Sequence, residues 1–207
     1  MQKVDNAVTG YAQQILNQVR KVVVGKDNVL LWVLAAILAK GHILLEDIPG
    51  VGKTTMALAF SRVLNLDYNR VQFTPDVLPS DVTGYTIPDQ RTGEMVYQKG
   101  AVLCNLFLAD ELNRATSRTQ SALLEAMEEK QITVDGVTSQ LEPPFMVMAT
   151  QNPLESYGTF PLPDAQMDRF FMKLSLGYMT RQQEMSVLGR TDSVTLIEDL
   201  QQVVTME

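Results

Sequence analysis

Apolar positions along the chain follow two spacings, one near helical and one strand-like. Over residues 3–20, Val8, Tyr11, Ile15, Leu16 and Val19 recur near helical spacing and predict an amphipathic helix. The run from Val29 to Ala39 is apolar throughout. It is well short of the roughly 20 residues that cross a bilayer, so it reads as a helix buried on all sides. Asp27 is placed to cap its start, and Gly41 lies just past its end. His42–Glu46 is a short apolar strand, followed by a glycine-rich turn and a helix to about Leu64. Val71–Thr74 is a second strand, ended by Pro75. Leu106–Ala109, Phe145–Thr150 and Phe170–Leu176 are further apolar strands, and Thr116–Glu129 is a helix with Leu123, Leu124 and Met127 on one face. Strands alternating with helices predict an α/β fold whose parallel sheet is covered on both faces.

Two stretches interrupt this alternation. Residues 75–100 are rich in turns, and within them Tyr85-Thr86-Ile87 and Met95-Val96-Tyr97 flank a turn-prone stretch, a pattern that predicts an inserted β-hairpin. Gln131–Val134 and Val137-Thr138 flank Asp135-Gly136, a pair suited to a type I′ turn and hence to a second hairpin.

The 207 residues, 45% of them hydrophobic, suffice for one α/β domain. A formal net charge of −7 without a dense Lys/Arg run argues against nucleic acid as a partner. The single cysteine, Cys104, lies in an apolar segment and reads as a small buried hydrophobe, which fits a reducing compartment. The single histidine, His42, has no second His or Cys with which to hold a metal. Met1–Asn6 lacks an apolar signal core, so a cytoplasmic protein without a membrane span is expected.

Chemistry concentrates at the strand ends. Glu46-Asp-Ile-Pro-Gly-Val-Gly-Lys-Thr54 follows the first strand and opens a helix. Backbone N–H groups of such a turn surround an anion, and the helix N-terminus adds partial positive charge. Lys53 then reaches the β- and γ-phosphates of a nucleotide, and the Thr54 hydroxyl ligates Mg²⁺. Gly50 and Gly52 supply conformations and clearance that a Cβ would deny. The strict phosphate-loop pattern has glycine where this chain has Asp47. Leu106–Ala109 ends in Asp110-Glu111, a pair suited to holding the metal and to activating the attacking water. Asn152, after the next strand, is either part of an Asn-Pro turn or a third strand-end group in the same crevice. Arg169 caps a helix or pairs with Asp168, or else it projects into a neighbouring subunit's nucleotide.

As a set, Asp47-Ile-Pro-Gly-Val-Gly-Lys-Thr54, Asp110-Glu111-Leu-Asn-Arg114-Ala, Ser121-Ala-Leu-Leu-Glu-Ala-Met-Glu-Glu129, Ala149-Thr-Gln-Asn-Pro153 and Leu162-Pro-Asp-Ala-Gln-Met-Asp-Arg-Phe170 closely resemble the MoxR group of AAA+ ATPases. The likeness begins at about Val23, and Asp47 resembles a variant the group itself uses. The resemblance implies a P-loop NTPase core: a parallel five-stranded sheet between helices, two inserted β-hairpins, and a C-terminal helical lid that is absent. It implies residues 1–22 as an N-terminal helix, 23–190 as the nucleotide-binding core and 191–207 as the start of the lid or a linker.

ATP and Mg²⁺ are the implied ligands. Pro49, Gly50, Val51, Gly52, Lys53, Thr54 and Thr55 form Walker A, and Asp110 and Glu111 form Walker B, with Thr54 and Asp110 on the metal. Asn152 is sensor 1, Arg169 the arginine finger, and Val23-Val24-Gly25 lies near the adenine. Arg114 lies at a subunit interface or is a solvated helix-start arginine. The hairpins around Asp89–Gly93 and Asp135-Gly136 correspond to the helix-2 insert and the pre-sensor-1 hairpin, which face the pore of a ring, often a hexamer. The implied function is ATP hydrolysis driving a chaperone that remodels or matures complexes, beside a von Willebrand factor A domain partner or a client complex. The alternatives are a nucleotide-binding module with little turnover, because the lid is missing, and a DNA-acting motor.

Overall fold

The computed structural model describes residues 2–48, 50–153, 158–188 and 193–204. Helices α1 (Gln2–Val19) and α2 (Asp27–Leu38) lead into β1 (Ile43–Glu46), α3 (Lys53–Val63) and β2 (Tyr68–Gln72). Helix α4 (Pro79–Thr83) precedes the hairpin of β3 (Gly84–Pro88) and β4 (Met95–Lys99). Strand β5 (Leu106–Asp110), a 3-10 turn at Leu112–Arg114 and α5 (Ser117–Glu129) follow. The second hairpin is β6 (Gln131–Val134) with β7 (Val137–Gln140). The chain continues through β8 (Met146–Gln151), α6 (Asp164–Met167), β9 (Met172–Leu174), α7 (Arg181–Leu188) and α8 (Ser193–Glu198).

Five strands form one sheet in the order β2-β5-β8-β1-β9, with every pairing parallel. Strand side chains alternate between faces, and here both faces are apolar. Ile43, Leu45, Leu106, Leu108, Met146 and Met148 join the core beneath α1, α2 and α3. Their neighbours Leu44, Phe107, Ala109, Val147 and Ala149 join the core under α5. Burial on both sides is why these strands read as continuous hydrophobic runs. The second hairpin turns at Asp135 and Gly136 with φ of +49° and +79°, as a type I′ turn requires.

Several local expectations are corrected. The second strand is Tyr68–Gln72 rather than Val71–Thr74, because its pairing with β5 begins at Tyr68 opposite Leu106. Asp27 is the first residue of α2, not its cap; Lys26 holds the cap position, and the Asp27 carboxylate pairs with Arg20 at 2.5 Å. Helix α2 is not buried all round. Leu31, Trp32 and Leu38 are more than half exposed, since only the face with Leu30, Val33, Leu34 and Ala36 meets the core. In α1, Ile15, Leu16 and Val19 are buried while Val8 and Tyr11 remain exposed.

Cys104 is half-buried, with Sγ 3.7 Å from the Ala101 carbonyl oxygen, and burial pushes its thiol up to about 12. His42, just before β1, is buried. Its Nδ1 accepts from the Val147 N–H at 2.9 Å, and its Nε2 lies 3.3 Å from the Met127 carbonyl oxygen. A neutral ring that donates from Nε2 satisfies both contacts.

Burial therefore holds the His42 pKa below its ordinary 6.5, outweighing the Met127 contact. Below that ordinary value the unfolded chain binds a proton that the folded chain refuses. Stability is expected to fall as pH drops from about 6.5 towards the folded value. Urea unfolding across that range should show the slope in the parent protein and a shallower one in His42→Gln.

Candidate functional site

Strand β1 delivers the chain into a turn that only glycine accommodates at two places. Gly50 and Gly52 have φ of +84° and +94°, and nothing lies within 4 Å of where a Cβ would sit at either. The demand is conformational, and the space above the turn is open. Gly52 caps α3, so Lys53, Thr54 and Thr55 form its first turn and its free N–H groups face that space. Lys53 is buried, and its Nζ donates to the carbonyls of Asp47 at 2.8 Å and Ile48 at 3.4 Å. Burial lowers its pKa, while Asp110, Asp47 and Glu111 pull in the opposite direction. Val51 is half-buried against the core, and Pro49 lies outside the described residues.

Strand β5 brings the acid pair to the same edge of the sheet. Gly50, Gly52, Lys53, Thr54, Thr55, Arg70, Gln72, Asp110 and Glu111 line one cavity of about 390 Å³. Thr150, at the end of β8 and fully buried, joins the two acids: its hydroxyl donates to Asp110 Oδ1 at 2.7 Å and accepts from the Glu111 N–H at 2.8 Å. Asp110 Oδ2 accepts from Arg70 Nη2 at 2.8 Å and Nε at 3.2 Å. Glu111 adopts φ +57°, a left-handed conformation that costs a non-glycine residue on the order of 1–3 kcal/mol. The Thr150 bond and an Arg114 Nη1 contact at 3.1 Å to Oε2 hold it there.

The family model described as "ATPase family associated with various cellular activities (AAA)" matches residues 42–172, which contain the whole of this cavity. Chaperone MoxR1 of Mycobacterium tuberculosis is 43% identical over 178 residues, covering 86% of this chain and 47% of that protein. The chain belongs to the MoxR group of AAA+ ATPases. The uncharacterized protein YeaC of Bacillus subtilis is 52% identical over 192 residues, 93% of this chain and 60% of that protein. A crystal structure of a candidate ATPase from Cytophaga hutchinsonii superposes with a TM-score of 0.86 at 42% identity, covering 98% of this chain and 62% of that one. The chain thus spans roughly half to three-fifths of the length of these relatives.

The remaining sequence-predicted residues of this MoxR-group core are not among those that line the cavity. Asn152 lines a neighbouring cavity with Glu46, Asn113, Thr159 and Pro161. Val23 is buried in the core, and Gly25, at φ +70°, lies beneath the Gln183 side chain of α7. Arg169 precedes β9, at the end of the strand away from the phosphate loop. It pairs with Glu128 of α5 at 2.6 Å and with the Ala165 carbonyl at 3.1 Å. The bond to Ala165 caps α6, one of the intrachain roles the sequence offered, and the ion-pair partner is Glu128 rather than Asp168.

Sequence reasoning missed Arg70, Gln72 and Thr150. Starting β2 at Val71 left Arg70 out of the strand, although Arg70 and Gln72 sit on the same face of a two-residue repeat. Thr150, two residues before Asn152, resembles any strand-end threonine. Removing its hydroxyl strands Asp110 Oδ1 and the Glu111 N–H together. Thr150→Val is expected to cost about 1–3 kcal/mol in urea unfolding, whereas Thr150→Ser, which retains both bonds, should lose less.

Proposed function

We propose that this core binds ATP with Mg²⁺ and hydrolyses it as the motor of a chaperone that remodels or matures protein complexes. One observation carries the reading: an amine and a hydroxyl at the start of α3 and two carboxylates at the end of β5 line a single cavity beside an open glycine turn. The turn's N–H groups and Lys53 suit the β- and γ-phosphates. Thr54 and Asp110 suit Mg²⁺, which supplies a positive charge shared between phosphate oxygens. Among the described residues no cluster of three or more His, Cys, Asp or Glu side chains could hold a metal. One hydroxyl and one carboxylate completed by phosphate oxygens and water match the coordination Mg²⁺ accepts. Glu111 takes the role of base towards the attacking water.

Asn152 acts as sensor 1, and Val23-Val24-Gly25 accompanies the base of the nucleotide. Arg169 acts on the nucleotide of the adjacent subunit in a ring, proposed to be a hexamer, and Arg114 lies near that interface. A von Willebrand factor A domain protein or a client complex is the proposed partner. Among the described residues no helix is long and apolar enough to cross a membrane.

Lys53→Ala is expected to weaken binding of a fluorescent ATP analogue about tenfold or more. Glu111→Gln should retain binding and lose about a hundredfold or more in phosphate release. If the parent binds ATP but turns over no faster than Glu111→Gln, the chain is a binding module and not a motor.

The arginine has its own test. Glu111→Gln and Arg169→Ala subunits, each inactive alone, should regain activity when mixed, because some interfaces then combine an intact Glu111 with an intact neighbouring Arg169. Mixtures that stay at the level of the separate variants would exclude Arg169 as a trans-acting group.

A further inference from the structure

The acid that replaces glycine at the head of the phosphate loop makes contacts the loop itself does not need. The Asp47 carboxylate, almost fully buried, accepts three hydrogen bonds from the segment that follows β9. Oδ1 takes Ser175 Oγ at 3.0 Å and the Gly177 N–H at 3.1 Å, and Oδ2 takes the Leu176 N–H. On the carbonyl side of the same segment lies Lys26, also buried, at the cap of α2. Its Nζ donates to the carbonyls of Leu176 at 2.7 Å, Gly177 at 2.8 Å and Tyr178 at 3.2 Å. Residues 175–178 have no regular secondary structure, yet a buried anion takes the N–H groups of Leu176 and Gly177 and a buried cation the C=O groups of Leu176, Gly177 and Tyr178. Charge-assisted bonds of this kind are the stronger class. Six of them on four residues make the segment a clamped strap.

The main chain of Asp47 ties this strap to the phosphate site. Its N–H donates to the Gln151 carbonyl at the end of β8 at 3.2 Å, and its carbonyl accepts from Lys53 Nζ at 2.8 Å. Beyond the strap, Thr180 and Gln183 cap α7 reciprocally, and Gln183 lies over Gly25. A Cβ at Gly25 would lie 2.1 Å from Gln183 Nε2. One residue therefore touches the phosphate-binding amine, the β8 end and the lead-in to α7.

We propose that Asp47 is a positioning residue that fastens the 175–178 strap to the phosphate loop, so that occupancy of Lys53 is transmitted to α7. When Lys53 turns to a phosphate it releases the Asp47 carbonyl. The loop and the strap then shift together, because the carboxylate joins them. The transmission rests on the ATP reading above, whereas the clamp does not.

Residue-resolved amide exchange tests both parts. Without nucleotide, the Leu176 and Gly177 amides should exchange about tenfold or more faster in Asp47→Gly than in the parent. Lys26→Met should also loosen them, Asp47→Asn should fall between, and β5 amides should be unchanged. With ATP and Mg²⁺, the parent should change protection at Leu176, Gly177 and along α7, and Asp47→Gly should lose that response while its Gly50 and Gly52 amides still report binding. Equal exchange at Leu176 and Gly177 in parent and variants overturns the clamp. A full nucleotide response along α7 in Asp47→Gly overturns the transmission. If the parent's Gly50 and Gly52 amides do not respond to ATP, the ATP reading and the transmission fall together, and the nucleotide-free comparison still decides the clamp. Should Asp47→Gly fail to fold, Asp47→Asn and Lys26→Met decide it.

Discussion

The parallel register of β5, β8 and β1 is the constraint on which the site depends. Ala109 and Leu44 both pair with Ala149 of the strand between them, so the three strands end together. The next residues out are Asp110, Thr150 and Leu45, followed by Glu111 and the phosphate loop. A one-residue slip would turn each strand's side chains to the opposite face. It would also separate Thr150 from the acids it bonds. The register is fixed by burial on both faces, so the same apolar packing that stabilises the sheet sets the spacing of the polar groups at its edge.

Charge at that edge is closely balanced. Asp47, Asp110 and Glu111 face Lys53, Arg70 and Arg114, and each acid has a defined partner: the strap for Asp47, Arg70 and Thr150 for Asp110, Arg114 for Glu111. Arg70 is 42% exposed, and a pair so open to water contributes only about 0–1 kcal/mol to stability. Its effect is on orientation, since it occupies Oδ2 while Thr150 occupies Oδ1. A cation arriving at Asp110 competes with a weakly held guanidinium for one oxygen and leaves the buried Thr150 bond in place. That asymmetry lets the carboxylate exchange partners without losing its direction.

Much of the architecture was legible in the sequence because its signals are local. A strand buried on both faces is a solid apolar run, Asp135-Gly136 sets a type I′ turn within two residues, and Gly-Lys-Thr at a strand-to-helix junction has a backbone reason. What escaped is set by tertiary packing. The pattern of α2 cannot reveal that Leu31, Trp32 and Leu38 are left outside, because its apolar residues encircle the helix and only its neighbours decide which face is covered. Arg70 and Thr150 matter through partners far away in the chain, and nothing in their own neighbourhoods distinguishes them. Asp47 is the instructive case. Against the phosphate-loop pattern it reads as a lost glycine, yet it supplies a carboxylate to a segment 128 residues later.

The position of Arg169 follows from the same parallel topology. It precedes β9, so it lies at the N-terminal end of a strand whose C-terminal end leads into the strap. Strand β9 spans three residues, roughly 10 Å at the rise of a strand, and the turn through Phe170 and Phe171 separates it from Arg169. The phosphate loop lies at that far end, beside the strap that Asp47 holds. The Arg169 guanidinium is turned onto Glu128 and the end of α6. Within this chain it is not among the residues that line the Lys53 cavity. The proposed action of Arg169 on phosphate chemistry therefore calls for a second copy that brings its own cavity to this surface, and Glu128 would hold the guanidinium until that surface is met.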